Sequence, residues 1–275
     1  MLPRSAEAPP LAPVLSWPMA SATVTETTQR QFGAVASAYA VSAVHAGGPD
    51  LDALITAAGL TGRERALDLG AGAGHTTLAL ARGAAEVIGV DVTPEMVEVA
   101  TELARQRRVT NVRFELGDVS ALAYPNASFD IVTSRYSAHH YHDPASALRE
   151  AFRVLKPGGK FLLVDTVSPE EPALDTFINA IEILRDSSHV RNWRGSEWVR
   201  MVEGAGFTSV QTLARTVINL EGAAWTGRMK TPPAKVAMIQ QLFAEATPNQ
   251  RKGFEIRNDP WGFSQAVALI SAVRP

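Results

Sequence analysis

Three glycines at alternate positions, Gly70, Gly72 and Gly74, follow the apolar run that carries Asp68 in "RALDLGAGAGHTTLALA". Glycines so placed let the chain turn tightly and let a ligand approach the backbone. A dinucleotide pyrophosphate calls for G-x-G-x-x-G/A at the start of a helix. Here the spacing is G-x-G-x-G, and His75 stands where the third dinucleotide glycine or alanine belongs, which weakens the phosphate reading. The plain alternative is a glycine-rich turn with no ligand. Two more acids count against it: Asp91 ends "VIGVD" and Asp118 follows "FELG". A carboxylate at the first place can accept both hydroxyls of a ribose. At the second it can meet the exocyclic amine of adenine, with Val92 and Met96 as apolar walls for a purine. Each acid alone also reads as a solvated loop end; three at the ends of consecutive strands point to a nucleoside.

A different chemistry sits in "SRYSAHHYHDP", where His139, His140 and His142 make up three of the six histidines. A histidine near its ordinary pKa of ~6.5 can take a proton from a phenol or an enol. His139 or His140 is therefore the candidate base or substrate-orienting donor, with a backbone hydrogen bond or simple packing as the structural alternative. Neighbours on one short segment rarely converge on a metal ion, and Asp143 better suits the N-cap of the helix opened by Pro144. No metal is expected. Arg135 and Tyr136 are candidates for the cofactor or the substrate, or for a structural role.

These residues need elements to hold them. "TETTQRQFGAVASAYAVSAVH" puts Phe32, Val35, Ala36, Tyr39 and Ala43 near one helix face, and "GPDLDALITAAGL" gives a second helix closed by Gly59. Strands and helices then alternate: "RALDLG", "EVIGVDV", "VRFELGD", "FDIVTSRY" and "KFLLVDTV" read as strands. "TPEMVEVATELARQR" is a helix with Thr93 as N-cap, and "KPGG" is a turn. Helices of ~10–15 residues between strands indicate βαβ units around a parallel sheet. Further on come helices in "ALDTFINAIEILRDSS" and "GSEWVRMVEGAGF", and a strand or bent pair of strands in "FTSVQTLARTVINL". A mostly helical interruption and a final strand in "QAVALISAVRP" complete the chain.

The 275 residues, 46% hydrophobic, suffice for one large domain with a modest insertion. A net charge of −2 with scattered Lys and Arg offers no stripe for nucleic acid. The absence of cysteine excludes disulfides, thiolate metal sites and cysteine nucleophiles, and permits the expected cytoplasmic location. No apolar run reaches ~18 residues, so no membrane span is expected. Residues 1–24, rich in Pro, Ala, Ser and Thr, read as a disordered tail, with Met19 as an alternative start.

"LDLGAGAG", "VIGVD", "ELGDV" and "RVLKPGGKFLLVD" together resemble the successive signatures of class I S-adenosylmethionine-dependent methyltransferases. The most similar group is that of the ubiquinone/menaquinone C-methyltransferases, and the match runs from about Thr25 to Phe207. The resemblance implies an α/β fold: a doubly wound, mostly parallel seven-stranded Rossmann-like sheet with N-terminal helices. It implies a methyltransferase domain over 25–275, with a helical insertion before the last strand; 221–262 is expected to be the substrate cap. It further implies that Gly70, Ala71, Gly72 and Gly74 pack against the methionine and ribose of S-adenosylmethionine. Asp91 would bind the ribose hydroxyls, Asp118 and Val119 flank the adenine, Asp68 support the glycine loop or the methionine amine, and Tyr39 cover the methionine end. In this fold the histidine loop borders the site of transfer.

The expected activity is methyl transfer to carbon or oxygen of a small molecule. The alternatives are a nucleoside-binding protein without turnover and a nicotinamide dehydrogenase. Acceptor selection is assigned to Phe32, Tyr39 and His45, to His189, Arg191 and Trp193, and to Trp225, Met229, Met238 and Phe243. A pocket built from these suits a flat or apolar acceptor. The oligomeric state is left open.

Overall fold

The structure is a computed structural model and describes residues 23–40 and 46–275. The expected tail up to residue 22, with Met19, and also Ala43 and His45, lie outside the described residues.

Helix α1 (Val24–Gly33) starts one residue before the expected boundary at Thr25. The reason is a capping box: the Thr23 hydroxyl accepts from Glu26 N–H, and the Glu26 carboxylate accepts from Thr23 N–H. The long N-terminal helix expected from periodicity is two pieces. The chain turns after Gly33, buries Val35 and Ala36, and resumes as α2 (Ala36–Ala40). Helix α3 (Pro49–Ala58) stops at Gly59, which is left-handed at φ 63°.

The alternating core follows as β1 (Arg65–Leu69), α4 (His75–Leu80), β2 (Glu86–Asp91), α5 (Pro94–Gln106), β3 (Val112–Leu116) and β4 (Phe129–Arg135). After a 3-10 turn at Ala138–His140 come α6 (Pro144–Val154), β5 (Leu155–Thr166), α7 (Pro172–Arg185), α8 (Gly195–Gly204) and β6 (Thr208–Glu221). Helices α9 (Gly222–Arg228), α10 (Pro233–Ala244) and α11 (Pro248–Gly253) precede the two-residue β7 (Arg257–Asn258) and β8 (Trp261–Val273).

The sheet runs β3-β2-β1-β4-β5-β8-β6, with β7 beside β8. Pairs from β3 to β5 are parallel, whereas β8 is antiparallel to both β5 and β6. The chain winds outward from β1 to β3, then returns to place β4 on the other side of β1. That reversal is the switch point at which a doubly wound sheet opens a crevice beyond its strand ends.

Both sheet faces are covered. On one, Leu148, Val154, Trp198 and Val202 pack against Leu67, Val132 and Leu163. On the other, Leu54, Ala58 and Leu80 meet Ala66, Ile131 and Leu162. This explains the near-continuous apolar strands. A third cluster joins α7 to the helices after β6 through Phe177, Ile181, Trp225, Ile239, Phe243 and Phe263.

Two expectations are corrected. "KPGG" is not a turn between elements but a bulge inside β5: Phe129 pairs with Leu155 and Ile131 with Lys160, so the intervening residues loop out of register. The last strand begins at Trp261, earlier than expected, because Gly262 is part of the strand. A Cβ there would sit 2.3 Å from Leu220 O, so close approach of β6 requires the glycine.

Candidate active site

The glycine loop leaves β1 at the switch point. Ala71 N–H donates to Val90 O (2.9 Å), laying the loop on β2. Asp91, at the tip of β2, accepts from Gly72 N–H through Oδ2 (2.8 Å) and from Thr93 N–H through Oδ1 (2.9 Å). Thr93 is the N-cap of α5, but its side chain makes no capping bond. Burial raises the Asp91 pKa, opposed by these amides.

Beyond the loop lies a cleft of about 960 Å3, counting its open mouth. Its walls include Gly70, Ala71, Gly72, Asp91, Val92 and Met96. Asp118, Val119, Tyr39, Arg135 and His140 also line it, so most of the residues expected around the cofactor share one cavity. Asp118 holds Ser120 N–H and Oγ–H through Oδ1 (2.8 and 2.7 Å). Arg135 is buried and donates through Nε to Asp50 Oδ2 (2.6 Å).

Three expected residues do not line this cleft. Asp68 is buried beneath it, its oxygens taken by the hydroxyls of Thr77 (2.7 Å) and Thr133 (2.8 Å), and desolvation pushes its pKa up to about 6. It braces β1 against β4 and α4. Gly74 is the N-cap of α4, and a Cβ on it would lie 2.6 Å from Phe114 Cζ. Its role is helix-sheet packing. His139 stands on a second cavity.

That cavity, of about 550 Å3 again counting its open mouth, shares Phe32, Tyr39, Tyr136 and His140 with the cleft and adds His139, Glu182, Arg185, Trp225 and Arg228. Asp165, at the end of β5, grips His139 twice, accepting from its backbone N–H (2.9 Å) and from Nδ1 (2.6 Å). Burial opposes a charged His139, but the Asp165 carboxylate outweighs it, so the pKa is raised. With Nδ1–H on Asp165, neutral His139 leaves Nε2 as a proton acceptor. His140 donates through Nδ1 to Ser188 O (3.1 Å) and sits edge-on to Phe32. Desolvation and then repulsion from His139 push its pKa down to about 4. The two rings thus turn to different partners, and among the described residues no group of three or more His, Asp or Glu could hold a metal ion.

Of the residues expected to select the acceptor, Phe32, Tyr39 and Trp225 line the second cavity. Met229 lies behind it, its sulfur accepting from Tyr39 OH (3.2 Å). Phe243 belongs to the third core cluster, Met238 is exposed, and Arg191 is paired with Asp175 (2.7 Å). His189 is buried against Asn179 Oδ1 (3.2 Å) and Trp193 packs at the edge of the main core, so neither reaches the cavity. Asp165, Glu182, Arg185 and Arg228 were not singled out from sequence. Asp165 ends an apolar strand just as Asp91 does, so that signal was present; the other three lie on helix faces with no motif.

The tip of β4 carries a further peculiarity. Tyr136 has φ +54°, a left-handed conformation that a bulky residue holds only under constraint, at a cost of about 1–3 kcal/mol. Its N–H donates to Val164 O (2.9 Å), which holds it between the two cavities.

The fit of the cleft to a nucleoside cofactor can be judged at Gly72. Its φ is +52°, and a Cβ added there would meet no protein atom within 4 Å. The loop is bare where a ligand must come close, beside the tip of Asp91.

Residues 60–214 match the methyltransferase-domain family. The chain belongs to that family. It is 40% identical over 252 residues to the uncharacterized methyltransferase YcgJ of Bacillus subtilis, covering 90% of this chain and 99% of that protein. The crystal structure of YcgJ superposes with a TM-score of 0.78 at 39% identity, over 82% of this chain and 97% of that one. The demethylmenaquinone methyltransferase of Deinococcus radiodurans is 36% identical over 107 residues, 38% of this chain and 44% of that protein. The 27-O-demethylrifamycin SV methyltransferase of Amycolatopsis mediterranei is 38% identical over 112 residues, 40% and 41% of the two chains. This methyltransferase uses S-adenosylmethionine as its methyl donor, and the dehydrogenase alternative is not favoured. Among its described residues no helix is long and apolar enough to cross a membrane.

Proposed function

We propose that this methyltransferase methylates carbon or oxygen of a small-molecule acceptor held in the second cavity, and that His139 takes the acceptor's proton. The observation that carries the reading is the 2.6 Å contact between His139 Nδ1 and Asp165, on a ring that borders the cavity beside the cleft. Two relatives with small-molecule names, for demethylmenaquinone and for 27-O-demethylrifamycin SV, support the acceptor class.

The donor supplies a methyl group already activated on a sulfonium, so the protein's work is alignment, exclusion of water and removal of a proton. Asp91 is the ligand for the ribose hydroxyls, with its two oxygens pre-oriented by the amides of Gly72 and Thr93. Asp118 and Val119 flank the adenine, Val92 and Met96 wall it, and Gly70 and Ala71 lie along the methionine and ribose. Tyr39 and Arg135 close the methionine end. Asp165 keeps His139 in the tautomer whose Nε2 can accept a proton, and raises its basicity. His140, held neutral, forms the wall between the two compartments. The helices of 221–262 cap the acceptor, which is flat or apolar on the side of Phe32, Tyr39 and Trp225. The scattered surface charge gives no purchase for nucleic acid.

The test is the pH dependence of turnover on the acceptor that gains labelled methyl in an extract search. If His139 is the base, the rate rises with pH along a limb above 6.5, and Asp165→Asn moves that limb to lower pH. A limb near 4 transfers the role to His140, and a limb unmoved by Asp165→Asn rejects the His139–Asp165 pair.

A further inference from the structure

The second cavity holds an excess of cations that its own carboxylates do not neutralise. Arg185 reaches Glu182 at 3.5 Å, donates through Nε to Trp225 O (3.2 Å) and lies 4.9 Å from the Trp225 ring centroid. Arg228 lines the same cavity but makes no hydrogen bond or ion pair among the described residues, and its Nε is buried without a partner. The nearby acids are committed elsewhere. Asp165 is bound to His139, and Asp186 holds Ser188 through Oδ1 and lies 3.9 Å from His140. Burial also raises the pKa of Glu182, weakening the one counter-charge present, while burial and then repulsion from Arg185 lower that of Arg228. A desolvated guanidinium with no anion is costly, and the cost disappears when a ligand supplies one.

Resting on the reading of this cavity as the acceptor site, we infer that the acceptor carries a carboxylate, bound by Arg228 with Arg185 beside it. The molecule would lie with its acid at α9 and its aromatic or apolar body against Trp225 and Phe32. The atom to be methylated would then reach the wall shared with the cleft, next to His139 and His140. Arg228 is accordingly a specificity residue and takes no proton.

The chain saturated with S-adenosylhomocysteine is titrated with 4-hydroxyphenylacetate and with its uncharged counterpart 4-hydroxyphenylacetamide, following binding by calorimetry. The acid is expected to bind at least tenfold more tightly than the amide. Arg228→Gln should abolish that preference and Arg228→Lys retain part of it, with the affinity for S-adenosylhomocysteine unchanged in both. Equal affinities, no binding of the acid, or a preference that survives Arg228→Gln in a chain that still binds S-adenosylhomocysteine overturns the carboxylate assignment alone. A chain that binds no S-adenosylhomocysteine overturns the underlying site reading, and this inference with it.

Discussion

The cleft at the strand tips and the cavity behind it share a wall at Phe32, Tyr39, Tyr136 and His140 but are otherwise lined by different parts of the chain. The cleft takes its floor from the glycine loop and the tips of β2 and β3, where backbone amides of Gly72 and Thr93 fix Asp91 within one βαβ unit. The cavity joins Phe32 of α1, His139 of the β4 loop, Glu182 and Arg185 of α7, Ile218 of β6, and Trp225 and Arg228 of α9. The first is local geometry in which side-chain identity matters at a few points. The second exists only when distant segments have packed, and its character lies in charge and aromatic content. On the proposed reading, recognition of a common donor uses the former, and choice among acceptors uses the latter.

The largest expected effect separates the two regions by function. Replacing His139 with Ala should slow transfer of labelled methyl by about 10²–10⁴-fold, the usual contribution of a positioned base. The affinity for S-adenosylhomocysteine should stay nearly constant. A parallel loss of that affinity would show the compartments to be one unit. Asp91→Ala should do the reverse and weaken S-adenosylhomocysteine by about 1–3 kcal/mol in calorimetry; an unchanged value would remove Asp91 from the cleft's chemistry.

Two glycines of the loop sharpen the contrast further. Gly74→Ala drives a methyl toward Phe114 and should lower stability by about 1–3 kcal/mol in thermal unfolding. Gly72→Ala has room for its methyl and pays only for φ, about 1–2 kcal/mol, yet it should abolish most of the thermal stabilisation that S-adenosylhomocysteine confers. If the two variants respond alike to ligand, the loop is structural throughout.

The smallest effect concerns pH. Desolvation holds the pKa of buried His189 down to about 2 and that of His140 to about 4. Below pH 6.5 the unfolded chain binds protons that these folded rings refuse, so their share of stability falls as pH drops from 6.5 toward 4. His139, whose pKa is raised, works the other way: its contribution is full at low pH and fades as pH rises through its folded value. Denaturation at pH 7 and pH 5, repeated with His189→Gln, should show the loss on acidification to be smaller in the variant.

Legibility in the sequence followed the same division. Strand-helix alternation, the Gly59 and Asp143 caps, and the places of Asp91 and Asp118 at strand ends could be read because each depends on residues a few positions apart. "KPGG" has the same turn chemistry whether it ends an element or bulges within one, and only the pairing with β4 distinguishes them. Gly262 reads as a breaker until β6 is laid beside it. Arg185 and Arg228 look like ordinary solvated helix charges, and their significance comes from burial that no spacing encodes. Asp68 was legible as a special acid but not as one already satisfied by two threonines from separate elements.

The helices α9 to α11 leave the sheet from Glu221, which pairs with Gly262, while β6 and β8 stay zipped down to Thr208 and Val273. They are in effect the oversized loop of a hairpin that is already closed beneath them. Its helices pack on α7 and on the ends of β6 and β8, and none of its residues lines the cleft at the tips of β1 and β2. On the proposed reading, exchanging this one loop would change the Trp225 and Arg228 side of the acceptor cavity and leave the lining of the cleft untouched.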